Sequence, residues 1–525
     1  MISKNKINLT ASAVLILATL TSFYIFSRFT VDDAFISWRY GRNLIEFGVW
    51  NYNPTRIDMV QAYTNPVFAL ISILSNFINF DVVFFFKMLS ILTVAAFIIW
   101  FRKRVNQSRL LLLGFICLPG TIIHAFSGLE TFLFVFLLGA LLISLYEEKV
   151  FESILLSSLL FITRPESWIF AILTPIYFAI NDKEENVNWA LKHPIRYLKS
   201  INLSARRGVI PLIVLSLLLI AYFIFHYIHF GDPLPNTFHI KSGARFSVKN
   251  FLIFAFFSAP AILAATTVAK RPKFFVLVLG TFCAMIGSYS TSDLQMNYAW
   301  RFAFHIFAPS YFLHCYFLNK KPGKITLQKS VEKKPPNSPG NIIHNVIAPA
   351  ILFSFFMIST SLSTAFYYPR ALISHAQLGR VLEEISEKYN IKTFAFGDAG
   401  MAAYYSKINV LDNVGLANSQ IGRHGLTREY LDYIKPDMAI FYATPSGIRL
   451  SEFNQGVIFD WVSEKKFVKI CDIYFTPEYL MTVYAKTKIP EIQSLCKETY
   501  LKNSADNKSI LSYAIAPPPW TFWKE

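Results

Sequence analysis

Long apolar blocks separated by short polar segments run through most of this chain. The first extends from Ile7 to Phe29, about twenty mostly apolar residues, enough for one membrane-spanning helix. Comparable blocks are Gly208–Phe230, Asn250–Ala269, Phe274–Ser290, Arg301–Leu318 and Ile343–Phe366. A crowded stretch between Pro66 and Ile180 holds roughly six more, several too short to assign alone. The pattern changes near Tyr367. AQLGRVLEEISEKYN, from Ala376, repeats Leu378, Val381, Leu382 and Ile385 at helical spacing. IKTFAF, INVLD and MAIFYA, from Ile391, Ile408 and Met438, read as strands. Short apolar strands alternating with helices predict a small α/β layer. The expected fold class is a polytopic α-helical membrane protein, with a membrane module over residues 1–366 and a C-terminal soluble α/β domain over 367–525.

Composition agrees. Apolar residues make up 54% and charged residues 16%, where a soluble chain carries about a quarter charged. The net charge of +17 raises the question of a nucleic-acid partner, but its placement answers it. Lys and Arg concentrate in 181–207 and 319–341, with Lys4, Lys6 and the Lys270–Lys273 turn in agreement. Basic loops between spans mark the cytoplasmic side, so the charge sets orientation and implies no polyanion. The N-terminus is then cytoplasmic. The first loop, residues 30–65, and the C-terminal domain face the extracytoplasmic side. Opposite termini require an odd number of spans, and about eleven fits the segments. The first block is too long for a signal peptide and lacks a small-residue cleavage site, so it reads as a retained anchor.

Five cysteines are present. Cys117, Cys283 and Cys315 sit in apolar stretches as small hydrophobes. Cys471 and Cys496 lie in the polar C-terminal region, where an oxidising compartment permits a disulfide. No zinc-type Cys/His spacing occurs. No cofactor is called for, and a divalent cation beside the acids of the first loop stays open.

Candidate chemistry begins at Asp32 and Asp33, adjacent acids just past the first apolar block. They suit a general base acting at the membrane surface on a lipid-borne substrate; the plainer alternative is that Asp33 caps a helix starting at Ala34. Ala34–Phe47 reads as an amphipathic helix ended by Gly48, lying in the interface with Phe35, Trp38 and Ile45 toward lipid. Arg39, Arg42 and Arg56 bring cations near the acids, and the planar fork of arginine suits phosphate. Contact with lipid headgroups is the competing role. Glu130 precedes an apolar run, and Arg164 and Glu166 flank Pro165 inside one. Charges at that depth face a partner or a cavity, or sit in a tight loop between two short helices. On the expected outer face lie Asp232, His239, Lys241, Asp293 and Arg301. In the C-terminal domain, Asp398 and Asp412 either bind hydroxyl groups of a ligand or close turns. Tyr404, Tyr405, Trp520 and Trp523 either stack on a ligand's rings or serve as core and interfacial anchors.

These segments resemble the GT-C superfamily of glycosyltransferases, and within it the mycobacterial-type terminal arabinofuranosyltransferases and their bacterial relatives. The resemblance is carried by DDAFISWRYGRNLIEFG, NYNP and AYTNP in the first loop. SGLET from Ser127, TRPE from Thr163, GDPLPNTFHIKSG from Gly231 and GDAGMAAYYSKINVLDNVGL from Gly397 follow in order. The chain departs from the family pattern at Gln61-Ala62 and at Ser292-Asp293-Leu294. The resemblance implies a GT-C-like fold in a bacterial inner membrane, with a polyprenyl-phosphate sugar as donor, the sugar being arabinofuranose by the likeness to the terminal arabinofuranosyltransferases. A periplasmic glycan, lipid-linked saccharide or protein would accept the sugar. It implies that Asp32 or Asp33 acts as base. Cations from separate loops (Arg39, Arg42, Arg301, His239, Lys241) are expected on the donor phosphate. Alternatives are an aminoarabinose or hexose transferase acting on lipid A or protein, and a lipid-sugar transporter, which predicts paired mid-membrane charges in repeated halves.

Overall fold

A computed structural model describes residues 26–105 except 57, 119–181, 202–203, 205–241, 245–259, 272–292, 294, 297–319, 372–475 and 479–503, with isolated positions from 17 to 24. Most of the first apolar block, the Ile343–Phe366 block, the 320–341 loop, the boundary at 366/367 and Trp520 and Trp523 lie outside these residues.

Helix α1 (Asp32–Phe47) carries both acids in its first turn and ends at Gly48, whose φ of 67° is the left-handed conformation that terminates a helix. Its N-cap is Val31, so neither acid caps its own helix. Helix α2 (Pro66–Phe77) starts on a proline, where the missing N–H costs nothing. Asp81 caps α3 (Val82–Arg102) through the Phe84 N–H. Helices α4 (Pro119–Phe126), α5 (Thr131–Tyr146), α6 (Val150–Thr163) and α7 (Trp168–Ala179) follow. The last two are split at TRPE, where a 3-10 turn spans Pro165–Ser167. A two-residue pair, β1 (Ile180–Asn181) with β2 (Asn202–Leu203), precedes α8 (Ala205–Phe230), α9 (Asn236–Lys241), α10 (Val248–Phe257), α11 (Pro272–Ser290) and α12 (Arg301–Asn319).

Among the described residues, three helices are long and apolar enough to cross a membrane: Val82–Arg102, Arg207–Phe230 and Pro272–Ser290. Several others are apolar but shorter. Helix α12 is long but less apolar, and it is buried from Phe304 to Tyr316 at the centre of the bundle. Its Phe312 lies 4.6 Å from Phe97 of α3, which stacks at 4.3 Å on Phe136 of α5. The fold is a helical membrane bundle with a C-terminal α/β domain.

That domain opens with α13 (372–385). The strands are β3 (Thr393–Ala395), β4 (Asn409–Leu411), β5 (Met438–Thr444), β6 (Gly447–Ile448), β7 (Val468–Tyr474) and β8 (Leu480–Ala485). The helices between and after them are α14 (Met401–Ser406), α15 (Ser419–His424), α16 (Arg428–Ile434), α17 (Gln455–Glu464) and α18 (Pro490–Asn503). Strand order is β4-β3-β5-β8-β7, with β6 hairpinned onto β5. The β4-β3-β5 half is parallel and the β5-β8-β7 half antiparallel. Alternating side chains feed two cores. Phe394, Ile440 and Val483 face Leu378, Leu382 and Ile492 on one side. Ala395, Ala439 and Phe441 face Leu431, Ile458 and Trp461 on the other.

Helix α1 is wedged between the two modules. Phe35 and Trp38 join the bundle core, Trp38 stacking on Phe86 at 4.7 Å. Ile36 and Tyr40 join the sheet-domain core. The amphipathic pattern predicts Phe35, Trp38 and Ile45 toward lipid; Phe35 and Trp38 are instead fully buried, and only Ile45, at 41% exposure, is on the surface. Amphipathicity shows that a helix has an apolar face, and it does not say whether protein or lipid covers that face.

Candidate active site

A cavity of about 320 Å³ opens beneath the start of α1. Its walls are Asp33 and Ser37 of α1, Tyr63–Pro66 of the first loop, Arg164, Glu166 and Trp168 from the α6–α7 break, Tyr222, Tyr289 and Arg301. Leu234, Pro235, Thr237 and Phe238 form its roof, joined by Leu416 of the sheet domain. Two backbone ties hold the acids in place. Val31 N–H donates to Ser127 O at 2.9 Å, and the buried Lys87 ammonium donates to the carbonyls of Ser27 and Phe29. Consecutive helix positions point about 100° apart. Asp33 therefore faces the cavity while Asp32 faces the sheet domain.

Behind the cavity wall lies Glu130, fully buried. It receives the guanidinium groups of Arg164 and Arg301, the latter at 2.8 Å, and the Asn65 amide at 2.6 Å. Arg301 also donates to Thr131 Oγ1 at 2.9 Å, and Arg164 to Glu166 at 2.8 Å. Tyr289 donates to Glu166 at 3.3 Å. A buried charge is tolerated only when paired and hydrogen-bonded, and here one carboxylate orients two arginine forks that line the same cavity. SGLET, TRPE and the start of α12 are thereby brought together. Asn65 and Tyr289 were not singled out from sequence; Asn65 sits in the quoted AYTNP, whose turn chemistry masked its role.

Asp32 is spent elsewhere. Its carboxylate accepts the N–H groups of Gly400 at 3.0 Å and Met401 at 2.7 Å, capping α14 across the module boundary. A Cβ on Gly400 would stand 2.1 Å from the Asp32 carbonyl oxygen, so GDAG needs its last glycine for this approach. Burial, with Asp398 and Asp33 nearby, pushes Asp32 up to about 6 against the pull of His375 and the Met401 N–H.

The structure corrects several expectations. Arg39 and Arg42 do not line the cavity. Arg39 is fully buried and donates to the carbonyls of Tyr52 and Ile408, each at 2.6 Å. Arg42 binds Asn43 at 2.7 Å and lies over Tyr404 at 4.9 Å. Both clamp α1 to the sheet domain, because their side of α1 faces that domain. Asp232 accepts from Arg423 and pairs with His239 at 3.0 Å in a partly exposed cluster outside the cavity. Asp398 pairs with buried His375 at 2.9 Å and accepts the Tyr479 hydroxyl. Asp412 closes its turn by accepting Val414 N–H at 2.9 Å and Ala417 N–H at 2.7 Å, and burial pushes it up to about 6. Tyr404 donates to Asn76 of α2 at 2.9 Å, and Tyr405 packs near Phe35. Both tyrosines are anchors between modules, away from the cavity. The side chain of Lys241, and Asp293, lie outside the described residues.

Further clamp residues were missed. Asn53 exchanges two hydrogen bonds with the backbone of Val410, at 2.9 and 3.1 Å, imitating a neighbouring strand. Asp58 accepts Ser419 N–H at 3.0 Å and its hydroxyl at 2.6 Å. Cys471 and Cys496 are joined by a disulfide tying β7 to α18. Among the described residues no group of three His, Cys, Asp or Glu side chains is arranged to hold a metal; the cavity offers arginines around Asp33.

The architecture matches a solved structure, ArnT from Cupriavidus metallidurans bound to undecaprenyl phosphate, with a TM-score of 0.52. The match covers 92% of this chain and 99% of that one at 10% identity, so the likeness is one of fold. Residues 369–487 match a domain of unknown function, DUF8728. No curated protein matches by sequence.

Proposed function

We propose that this chain is a GT-C-type membrane glycosyltransferase that moves a sugar from a polyprenyl phosphate to an acceptor hydroxyl. The observation that carries the reading is the joint presence of Asp33, Arg164 and Arg301 in one cavity between apolar helices and a docked sheet domain. The shared fold with a protein bound to undecaprenyl phosphate supports the donor class.

In this reading Asp33 takes the proton of the acceptor O–H. The oxygen attacks the anomeric carbon, and the bond from that carbon to the phosphate oxygen breaks with its electron pair leaving on the phosphate. Arg164 and Arg301 meet that charge, held in aim by Glu130. A positioned base contributes roughly 10²–10⁴-fold, and fixed cations in a dry site a comparable or larger factor. Aromatic Tyr63, Trp168 and Tyr222 give the sugar flat apolar faces. The motif resemblance supports arabinofuranose as the sugar and a glycan, lipid-linked saccharide or protein as acceptor. Basic loops support a cytoplasmic N-terminus and an extracytoplasmic sheet domain, and the motif resemblance supports a bacterial inner membrane with that domain in the periplasm.

Incubation with a panel of polyprenyl-phosphate sugars, followed by mass spectrometry of acceptor fractions, tests the reading. Release of polyprenyl phosphate with one sugar is the expected result. Movement of labelled lipid between leaflets without any release would overturn it in favour of a transporter.

A further inference from the structure

The roof of the cavity, residues 231–238, is a turn that runs into the first residues of α9, and its Leu234, Pro235, Thr237 and Phe238 line the cavity together with Asp33. A buried side chain ties it to the sheet domain. Asn236, 3% exposed, sends its amide nitrogen toward three carbonyls, Gly415 at 2.7 Å, Leu416 at 2.9 Å and Asn418 at 3.3 Å. Its own backbone N–H donates to Gln61 O at 3.1 Å, so the same residue also grips the first loop. Leu416, whose carbonyl is held, is the one sheet-domain residue in the cavity wall among those described.

We propose that Asn236 is a positioning residue through which the sheet domain sets the opening of the cavity. The chemistry of the cradle requires an amide. Three carbonyl oxygens converge on one nitrogen, so a donor is needed; an aspartate of the same shape would put negative charge among them. The other tie across this seam, Asp232 to Arg423, is 39% exposed on the arginine side and contributes little. Buried hydrogen bonds therefore hold the roof, and the sheet domain carries the acceptors of the Asn236 side-chain amide. Gly422 of α15 backs the cradle, and a Cβ there would lie 3.0 Å from the Gly415 carbonyl oxygen and 3.1 Å from both polar atoms of the Asn236 amide. That gives a handle on Asn236 from outside the cavity. For the proposed transfer, a loosened roof admits water, which competes with the acceptor for the donor sugar. This catalytic consequence rests on the glycosyltransferase reading; the geometry of the roof does not.

The test uses the full-length protein with Cys117, Cys283 and Cys315 replaced by alanine and a reporter, Thr237→Cys, in the roof. Thr237 is 4% exposed, so labelling by a small methanethiosulfonate is slow. Asn236→Ala is expected to speed it about tenfold, the scale of one lost buried hydrogen bond. Gly422→Ala is expected to speed it too, and to add less than its full effect in the Asn236→Ala background, since both act on the Asn236–Gly415 cradle. Unchanged labelling in Asn236→Ala, or additive effects in the double variant, would overturn the proposal. If Asn236→Ala does not fold, Gly422→Ala alone decides: no acceleration overturns it. Donor hydrolysis relative to transfer should rise in the same variants. Faster labelling with no turnover of any donor would remove the transferase reading and leave the roof assignment standing.

Discussion

The carboxylate of Asp32 accepts the backbone N–H of Met401 at 2.7 Å, across 369 residues of chain. Adjacent acids thus have different duties, one at the seam between modules and one in the cavity.

Asp33→Asn should lower turnover by about 10²-fold or more, the scale of a lost general base, with folding intact. Asp32→Asn should instead lower thermal stability, by roughly 1–3 kcal/mol for a mismatched buried acceptor. Turnover and detergent-solubilised melting, measured on both, separate the two. Wild-type turnover in Asp33→Asn would remove it from the mechanism.

Arg301→Lys keeps the charge and loses the fork that reaches Glu130 and Thr131 together. It should raise the donor KM by about tenfold, the scale of one charge-assisted hydrogen bond. Arg42→Ala should leave donor KM unchanged and reduce stability, since Arg42 stacks on Tyr404 outside the cavity. A KM effect confined to Arg42 would reverse the assignment.

The His375–Asp398 pair should give stability a pH signature. Burial opposes the charge on His375, but the hydrogen bond and charge of Asp398 outweigh it and raise His375 above its ordinary 6.5. Burial likewise opposes ionised Asp398, yet His375 and Tyr479 hold it below 3.8. The histidine's contribution is full below pH 6.5 and fades as pH rises through its higher folded value. The aspartate's is present above pH 3.8 and fades as pH falls through its lower folded value. The melting-temperature gap between wild type and His375→Gln should therefore narrow from slightly acidic to alkaline pH. A gap constant across that range contradicts the charged pair.

Replacing Cys471 and Cys496 by serine frees a loop of 25 residues. It should cost the sheet domain about 3.5 kcal/mol by the chain-entropy estimate. Denaturant melts with and without reductant would show it; identical midpoints would make the bond energetically silent.

Much of this molecule is local, and its local part was legible. The Gly48 stop, the break at Arg164-Pro165 and the strands at Thr393, Asn409 and Met438 follow from φ preference, ring geometry and alternating apolar residues, which act within a few positions. The same arithmetic says that Asp32 and Asp33 point apart on a helix. It does not say which direction holds the cavity and which the GDAG turn. That depends on α1 being wedged between a bundle and a sheet domain whose residues arrive hundreds of positions later. Arg39, Arg42, Tyr404 and Asp412 carry chemistry that suits phosphate or sugar in isolation, and the tertiary structure commits them to backbone carbonyls, neighbouring rings and turn N–H groups. Glu130 is the converse: an ordinary acid before a helix in the sequence, it becomes the anchor of two arginines once three distant segments meet. Sequence determined which groups the chain possesses and which elements bear them. Only packing decided which were left facing a cavity, because a buried polar group must find its partner wherever the fold brings one.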